Sequence, residues 1–149
     1  NTGIYIQDKK THSLNPDSKK ILFKNNSELW MSPLPKKEYA RGDFIHLNYN
    51  LLFNEKIKNN FAVYIQFLSD SNKILFQGDH CLEQSFFIKG EIIQKDIFIE
   101  IPKQLTCSGK IKLCMGLWIP SENKVLKTKS DLPKIINGHV LDELTLLST

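Results

Sequence analysis

Residues 111–118 alternate without a break: Ile111, Leu113, Met115 and Leu117 are apolar, and Lys112, Cys114, Gly116 and Trp118 stand between them. That is the period of a half-buried strand. One face builds core. The other sets a Trp beside a Gly that leaves room above the sheet, so the strand can present an aromatic surface to a partner. The same alternation recurs upstream, where Ile45, Leu47, Tyr49, Leu51 and Phe53 interleave with His46, Asn48, Asn50 and Leu52. Phe61, Val63, Ile65 and Phe67 interleave with Ala62, Tyr64, Gln66 and Leu68. After Gly90 a strand places Ile97, Ile99 and Ile101 on one face and Phe98 and Glu100 on the other, stopping at Pro102. A last strand, Val140 to Leu147, follows the turn signal Asn137-Gly138.

The first 40 residues are less regular. Gly3 to Gln7 and Lys20 to Lys24 read as short strands, and Glu28 to Met31 as a third extended piece before Pro33 and Pro35. Ser69-Asp70-Ser71-Asn72-Lys73 and Ser121-Glu122-Asn123-Lys124 read as hairpin turns, with Asn where a positive φ is needed. No segment holds a helical period over three turns, and Glu55 to Asn60 is the best place for a single helical turn. The expected fold is therefore one all-β domain, residues 1–149, an antiparallel immunoglobulin-like β-sandwich of about seven to nine strands. Its expected core contains Ile45, Leu47, Tyr49, Val63, Ile65, Phe67, Ile97, Ile99, Leu113, Met115 and Leu117, and Trp30 also reads as core.

Composition narrows the function. A chain of 149 residues, 41% hydrophobic and 24% charged, is ordinary for a globular domain with one core. It has no apolar run of transmembrane length and no basic-then-apolar leader. It also lacks an initiator Met, which points to a processed product or a part of a longer protein. The formal net charge is +4, but Arg41 is the sole arginine, and the lysines, such as Lys73, Lys110, Lys112 and Lys124, are spread over turns and outward strand positions. Scattered lysines keep sheet edges soluble, whereas nucleic-acid recognition favours the guanidinium fork, so no nucleic-acid partner is expected. Cys81, Cys107 and Cys114 are odd in number and lack zinc-ligand spacing. A Cys107–Cys114 disulfide is compatible with their spacing but not favoured by it.

Candidate chemistry is sparse. Asp79-His80 with nearby Glu83 is the one compact polar group, and it has two readings. In the first it orients a base or holds a metal. In the second, which is favoured, Asp79 accepts backbone amides at a corner while His80 packs across the loop. His12, His46 and His139 are scattered, and Asn25-Asn26-Ser27 matches a glycosylation acceptor that occurs often by chance. With no phosphate loop, nucleophile elbow or zinc motif, no catalytic activity, metal or cofactor is expected. The aromatic residues remain. Sugar rings stack their CH faces on Trp or Tyr while amides and charged groups bind the hydroxyls. Tyr64 with Gln66, and Trp118 with Lys112, satisfy that composition on faces opposite the core, and these four are the expected ligand-binding residues.

From Ala40 to Leu147 the chain also resembles a β-sandwich accessory domain at the C-terminal end of bacterial multi-spanning membrane glycosyltransferase-like proteins. The resemblance rests on Arg41-Gly42-Asp43, Val63 to Leu68 with the following Asp70 to Lys73 hairpin, Gln77-Gly78-Asp79-His80, Lys89-Gly90-Glu91, Ile99-Glu100-Ile101-Pro102, Met115-Gly116-Leu117-Trp118 and Asn137-Gly138-His139-Val140. Thr106-Cys107-Ser108-Gly109 departs from it where a Pro-Gly turn is usual. A looser similarity is to the sugar-recognising C-terminal sandwich of polysaccharide ABC-exporter ATPases. Either resemblance implies a non-catalytic accessory module of a polysaccharide- or glycan-handling system, binding glycan or positioning a partner. The first implies an extracytoplasmic location and the second a cytoplasmic one. The alternative is a structural or protein-docking sandwich, serving a protein partner or the rest of a larger chain.

Overall fold

Alternation of apolar and polar residues becomes two facing sheets because each strand can bury only one side. The computed structural model describes residues 3–10, 15–56, 58–83, 87–129, 132, 134–135 and 138–148. Among them the strands are β1 (Ile4–Lys10), β2 (Lys19–Leu22), β3 (Ser27–Met31), β4 (Glu38–Tyr39), β5 (Phe44–Phe53), β6 (Phe61–Leu68) and β7 (Ile74–Gln77). There follow β8 (His80–Leu82), β9 (Ile92–Glu100), β10 (Gly109–Ile119), β11 (Lys124–Val125), β12 (Lys134–Ile135) and β13 (Gly138–Leu146). Nine have four or more residues; β4, β8, β11 and β12 have two or three. Sheet one runs β1-β9-β5-β3-β2. Sheet two runs β12-β13-β10-β6-β7, with β8 also on β6, β11 on β10 and β4 on β13. All pairings are antiparallel except that of β4 with β13.

The eleven expected core residues are all buried between the sheets, none more than 1% exposed. Their inward parity is shared across neighbours: Ile45 lies opposite Ile99, Leu47 opposite Ile97, Leu113 opposite Phe67 and Leu117 opposite Val63. Lys95 also has this parity, opposite Tyr49, and is buried. Asn72 and Asn123 adopt positive φ in their two turns, as the hairpin reading requires.

Two expectations are corrected. Residues 55–60 contain no helical turn where they are described; the segment bends instead, and a 3₁₀ turn lies at Pro120–Glu122. Trp30 is not core. Ser27, Leu29 and Met31 take the inward positions of β3, which turns Trp30 outward, half-buried, with the Lys20 ammonium 4.9 Å above its ring centre. His12 and Asn137 lie outside the described residues.

Two devices hold the long connections. A bulge in β13 between its pairings to Leu113 and Cys114 admits an extra residue and re-aims Asp142. Its carboxylate then accepts the Leu34 amide at 2.9 Å and the Lys37 ammonium at 2.6 Å, fixing the strap that leads into β4. On the same side Arg41 donates to three main-chain carbonyls, those of Leu105, Cys107 and Leu147, so the sole arginine clamps the β9–β10 loop to the end of β13.

Candidate functional site

The register between β6 and β10 places the four expected binding residues on the outer face of sheet two. Tyr64 lies opposite Gly116, Gln66 opposite Cys114, Lys112 opposite Leu68 and Trp118 opposite Ala62. All four are half-buried. Tyr64 is laid across the sheet over two glycines. A Cβ on Gly116 would stand 2.1 Å from the Tyr64 hydroxyl oxygen, and one on Gly138, in β13, would stand 3.1 Å from Tyr64 Cε2. Removal from water pushes the phenol pKa well above its ordinary value, and the neighbouring Cys114 and Asp79 add to that. Trp118 follows two positions along β10 and rests between Ala62 and Val125.

Lys112 is set apart. It stands six residues from Trp118 on one strand, about 20 Å at the usual rise. Its ammonium is turned to the β6–β7 hairpin, 2.5 Å from Asn72 Oδ1 and 3.4 Å from the Asp70 carbonyl. Between them Cys114 is fully buried, and burial pushes its thiol up to about 11, against a smaller lowering by Lys112. It is a protonated core thiol at neutral pH, and all three cysteines are free.

The Asp79-His80-Glu83 corner is where β6 changes partner from β7 to β8. Gly78 donates its amide to the Ile65 carbonyl, and the Asp79 carboxylate accepts the Ile65 amide at 2.8 Å, standing in for the missing strand carbonyl. Partial burial raises the Asp79 pKa, opposed by that bond. His80 turns the other way: its Nδ1 lies 3.0 Å from the Gly78 carbonyl and its Nε2 2.5 Å from the Tyr49 hydroxyl. The carbonyl can only accept, so Nδ1 carries a proton, and in the neutral ring Nε2 accepts from Tyr49. Both nitrogens are occupied by the fold. Among the described residues no group of three or more His, Cys, Asp or Glu side chains is placed to hold a metal.

Two features escaped the sequence reading. On the outer face of sheet one, His46 Nε2 lies 2.8 Å from Asp96 Oδ1, and Asn48 donates to the same oxygen at 2.9 Å. Ser32 donates to Asn48 Oδ1, and the His46 ring stacks on Phe98 at 4.5 Å. Beside them Tyr5 and Phe44 are 60% and 43% exposed, their rings 5.8 Å apart. His46, Asn48, Asp96 and Phe98 were legible as outward on their own strands; that β9 lies between β1 and β5 was not.

The second is a cleft of ≈ 250 Å³ at one end of the sandwich, where the sheets part. Phe53 and Phe61, stacked at 5.5 Å, together with Ile119 and Leu126 form its apolar wall. Asn25, Ser27, Glu55, Lys56, Lys58 and Asn59 supply its polar side.

No protein-family model and no curated protein matches this chain. Among solved structures it is similar to a mutant β-glucosidase from Listeria innocua in complex with laminaribiose, with 16% identity and a TM-score of 0.40 over 82% of this chain. A second similarity is to the β-glucosidase from Listeria innocua in complex with isofagomine, with 15% identity and a TM-score of 0.39 over 80% of this chain. The chain spans 16% of the length of each.

Proposed function

We propose that this β-sandwich is a non-catalytic accessory module that binds glycan through the outer face of sheet two. The observation that carries the reading is the seating of Tyr64 over Gly116 and Gly138, with Trp118 at the next outward position of β10. Two neighbouring strands each give up a side chain at the place where the ring lies, so the ring is held along the sheet and not upright from it. An aromatic ring held this way beside a second one offers the CH faces of a sugar a surface whose ordering is already complete before binding. Gln66, next outward on β6, supplies an amide for hydroxyl groups, and Lys112 marks the far end of the same face. The resemblance to accessory domains of glycosyltransferase-like membrane proteins supports the same role.

The non-catalytic part rests on the Asp79-His80 corner, whose polar atoms serve the β6 ladder and the Tyr49 hydroxyl. Glycan-array screening of the wild-type domain, followed by calorimetry on its hits with Trp118→Ala, tests the proposal. A protein ligand seated on the same aromatics, with no glycan bound, is the outcome that would replace it.

A further inference from the structure

We infer that the cleft between the sheet ends takes a single neutral sugar ring, the terminal unit of a glycan, at a site separate from the Tyr64 surface. This rests on the glycan-binding reading of the module and adds to it where a chain end goes. Three observations converge. The first is concavity: β3 and β5 of sheet one and β6 and β10 of sheet two all end here, at Ser27, Phe53, Phe61 and Ile119. A volume of ≈ 250 Å³ lies just under the range of about 300–1,000 Å³ that larger ligands occupy. That space suits one pyranose ring and not an oligosaccharide.

The second is the division of its lining. One side is apolar: the edges of the buried Phe53–Phe61 stack and Ile119, with half-buried Leu126 beside them, form a floor on which the CH groups of a sugar can rest. The other is a set of short and long polar side chains carrying both donors and acceptors, which is what vicinal hydroxyls require, since each donates and accepts.

The third is charge balance. Lys56 and Lys58 line the cleft along with Glu55, and a second carboxylate, Glu122, sits 3.4 Å from the Asn59 amide at its rim. With Glu28, which accepts from Asn54, and Lys129, whose ammonium lies 3.1 Å from Asn26 Oδ1, three cations stand against three anions, a balance that favours neither an acidic nor a basic ligand. The rim is also built: Asn25 Oδ1 accepts the Ser27 amide, Asn26 donates to Glu55, and Asn54 donates to the Asn26 carbonyl and to Glu28. These bonds fix the turn between β2 and β3 against the loop after β5.

The test is an NMR titration of the ¹⁵N-labelled domain with methyl glucoside, methyl galactoside, methyl mannoside and glucuronate. At least one neutral glycoside should saturably shift Asn25, Ser27, Asn59 and Leu126. Asn59→Ala, a change at a half-buried position in the loop between β5 and β6, should weaken that binding by about twofold to tenfold, as loss of one hydrogen bond does, and Leu126→Trp, which fills the cleft, should abolish it with the spectrum still dispersed. Tyr64→Leu should leave it unchanged. Shifts absent from the cleft residues for every sugar overturn the inference, and so does glucuronate binding more tightly than all three glycosides. Failure of the Tyr64 surface would show elsewhere, as polysaccharide binding indifferent to Tyr64→Leu, so the two readings fall separately.

Discussion

The Tyr49 hydroxyl on β5 lies 2.5 Å from Nε2 of His80 on β8, a hydrogen bond that ties sheet one to the edge of sheet two. Tyr49 is fully buried, so its hydroxyl requires a partner inside the protein. This bond gives His80 a structural role. Tyr49→Phe keeps the ring and removes the donor, and it should lower the unfolding free energy in urea by about 1 kcal/mol. An unchanged midpoint would show that the pairing contributes nothing.

Arg41 carries a second structural claim. Its guanidinium reaches three carbonyls from two separate segments, and a lysine ammonium at the end of a flexible stem cannot span that fan. Arg41→Lys should therefore destabilise nearly as much as Arg41→Ala, by about 1.5–3 kcal/mol for charge-assisted bonds. Rescue by lysine in thermal denaturation would mean that charge alone matters here.

Asp142 and Asp79 should pull acid stability in opposite directions. Burial acts to raise the Asp142 pKa, but the Leu34 amide, the Lys37 ammonium and the Glu143 amide together hold it below the usual carboxylate value. The unfolded chain then takes up the proton first as pH falls. Its stabilising contribution is whole above the unfolded value of about 4 and is lost as pH drops through the lower folded value. Asp79 is the reverse: partial burial raises its pKa, so the folded state binds the proton first and stability declines as pH rises from about 4 through the folded value. Asp142→Asn should flatten the acid limb of a Tm-against-pH curve. Asp79→Asn retains an acceptor for the Ile65 amide and should be at least as stable as wild type at pH 7, whereas Asp79→Ala should be less stable. Identical pH curves for wild type and Asp142→Asn would contradict the first assignment.

Much of the fold was legible because a period of two leaves little choice of face: Leu113, Met115 and Leu117 had to share a side, and Ile97 and Ile99 likewise. Trp30 was legible too, had the parity of Leu29 and Met31 been weighed above the bulk of an indole. Strands of two or three residues such as β4 and β12 carry no period and are set by their neighbours, as the pairing of Tyr39 with Leu146 illustrates. The proposed binding face on sheet two was readable one strand at a time, from Gly116 two positions before Trp118. That the glycine serves Tyr64 depends on β6 lying beside β10. The network of His46 and Asp96, 50 residues apart in sequence, and the cleft gathered from several loops depend in the same way on long-range pairing.

Gly116 offers a test of the Tyr64 seat that touches no ligand. An added methyl group would overlap the Tyr64 hydroxyl and its Cζ, 2.1 and 2.3 Å away, and the ring would have to leave. Gly116→Ala should cost about 1–3 kcal/mol, as overpacking does, and should move the Tyr64 ring resonances. A variant of wild-type stability with unmoved Tyr64 resonances would show that the ring is not seated as described.

The most direct measurement of the central claim is equilibrium binding of an array-selected polysaccharide by wild type, Trp118→Ala and Tyr64→Leu, with folding checked by circular dichroism. Leucine still covers the two glycines but offers no ring. Each variant should lose about 0.5–1.5 kcal/mol, a several-fold weakening per ring, while both remain folded. Wild-type affinity in both folded variants, or no glycan bound by the wild-type domain at all, would contradict the account.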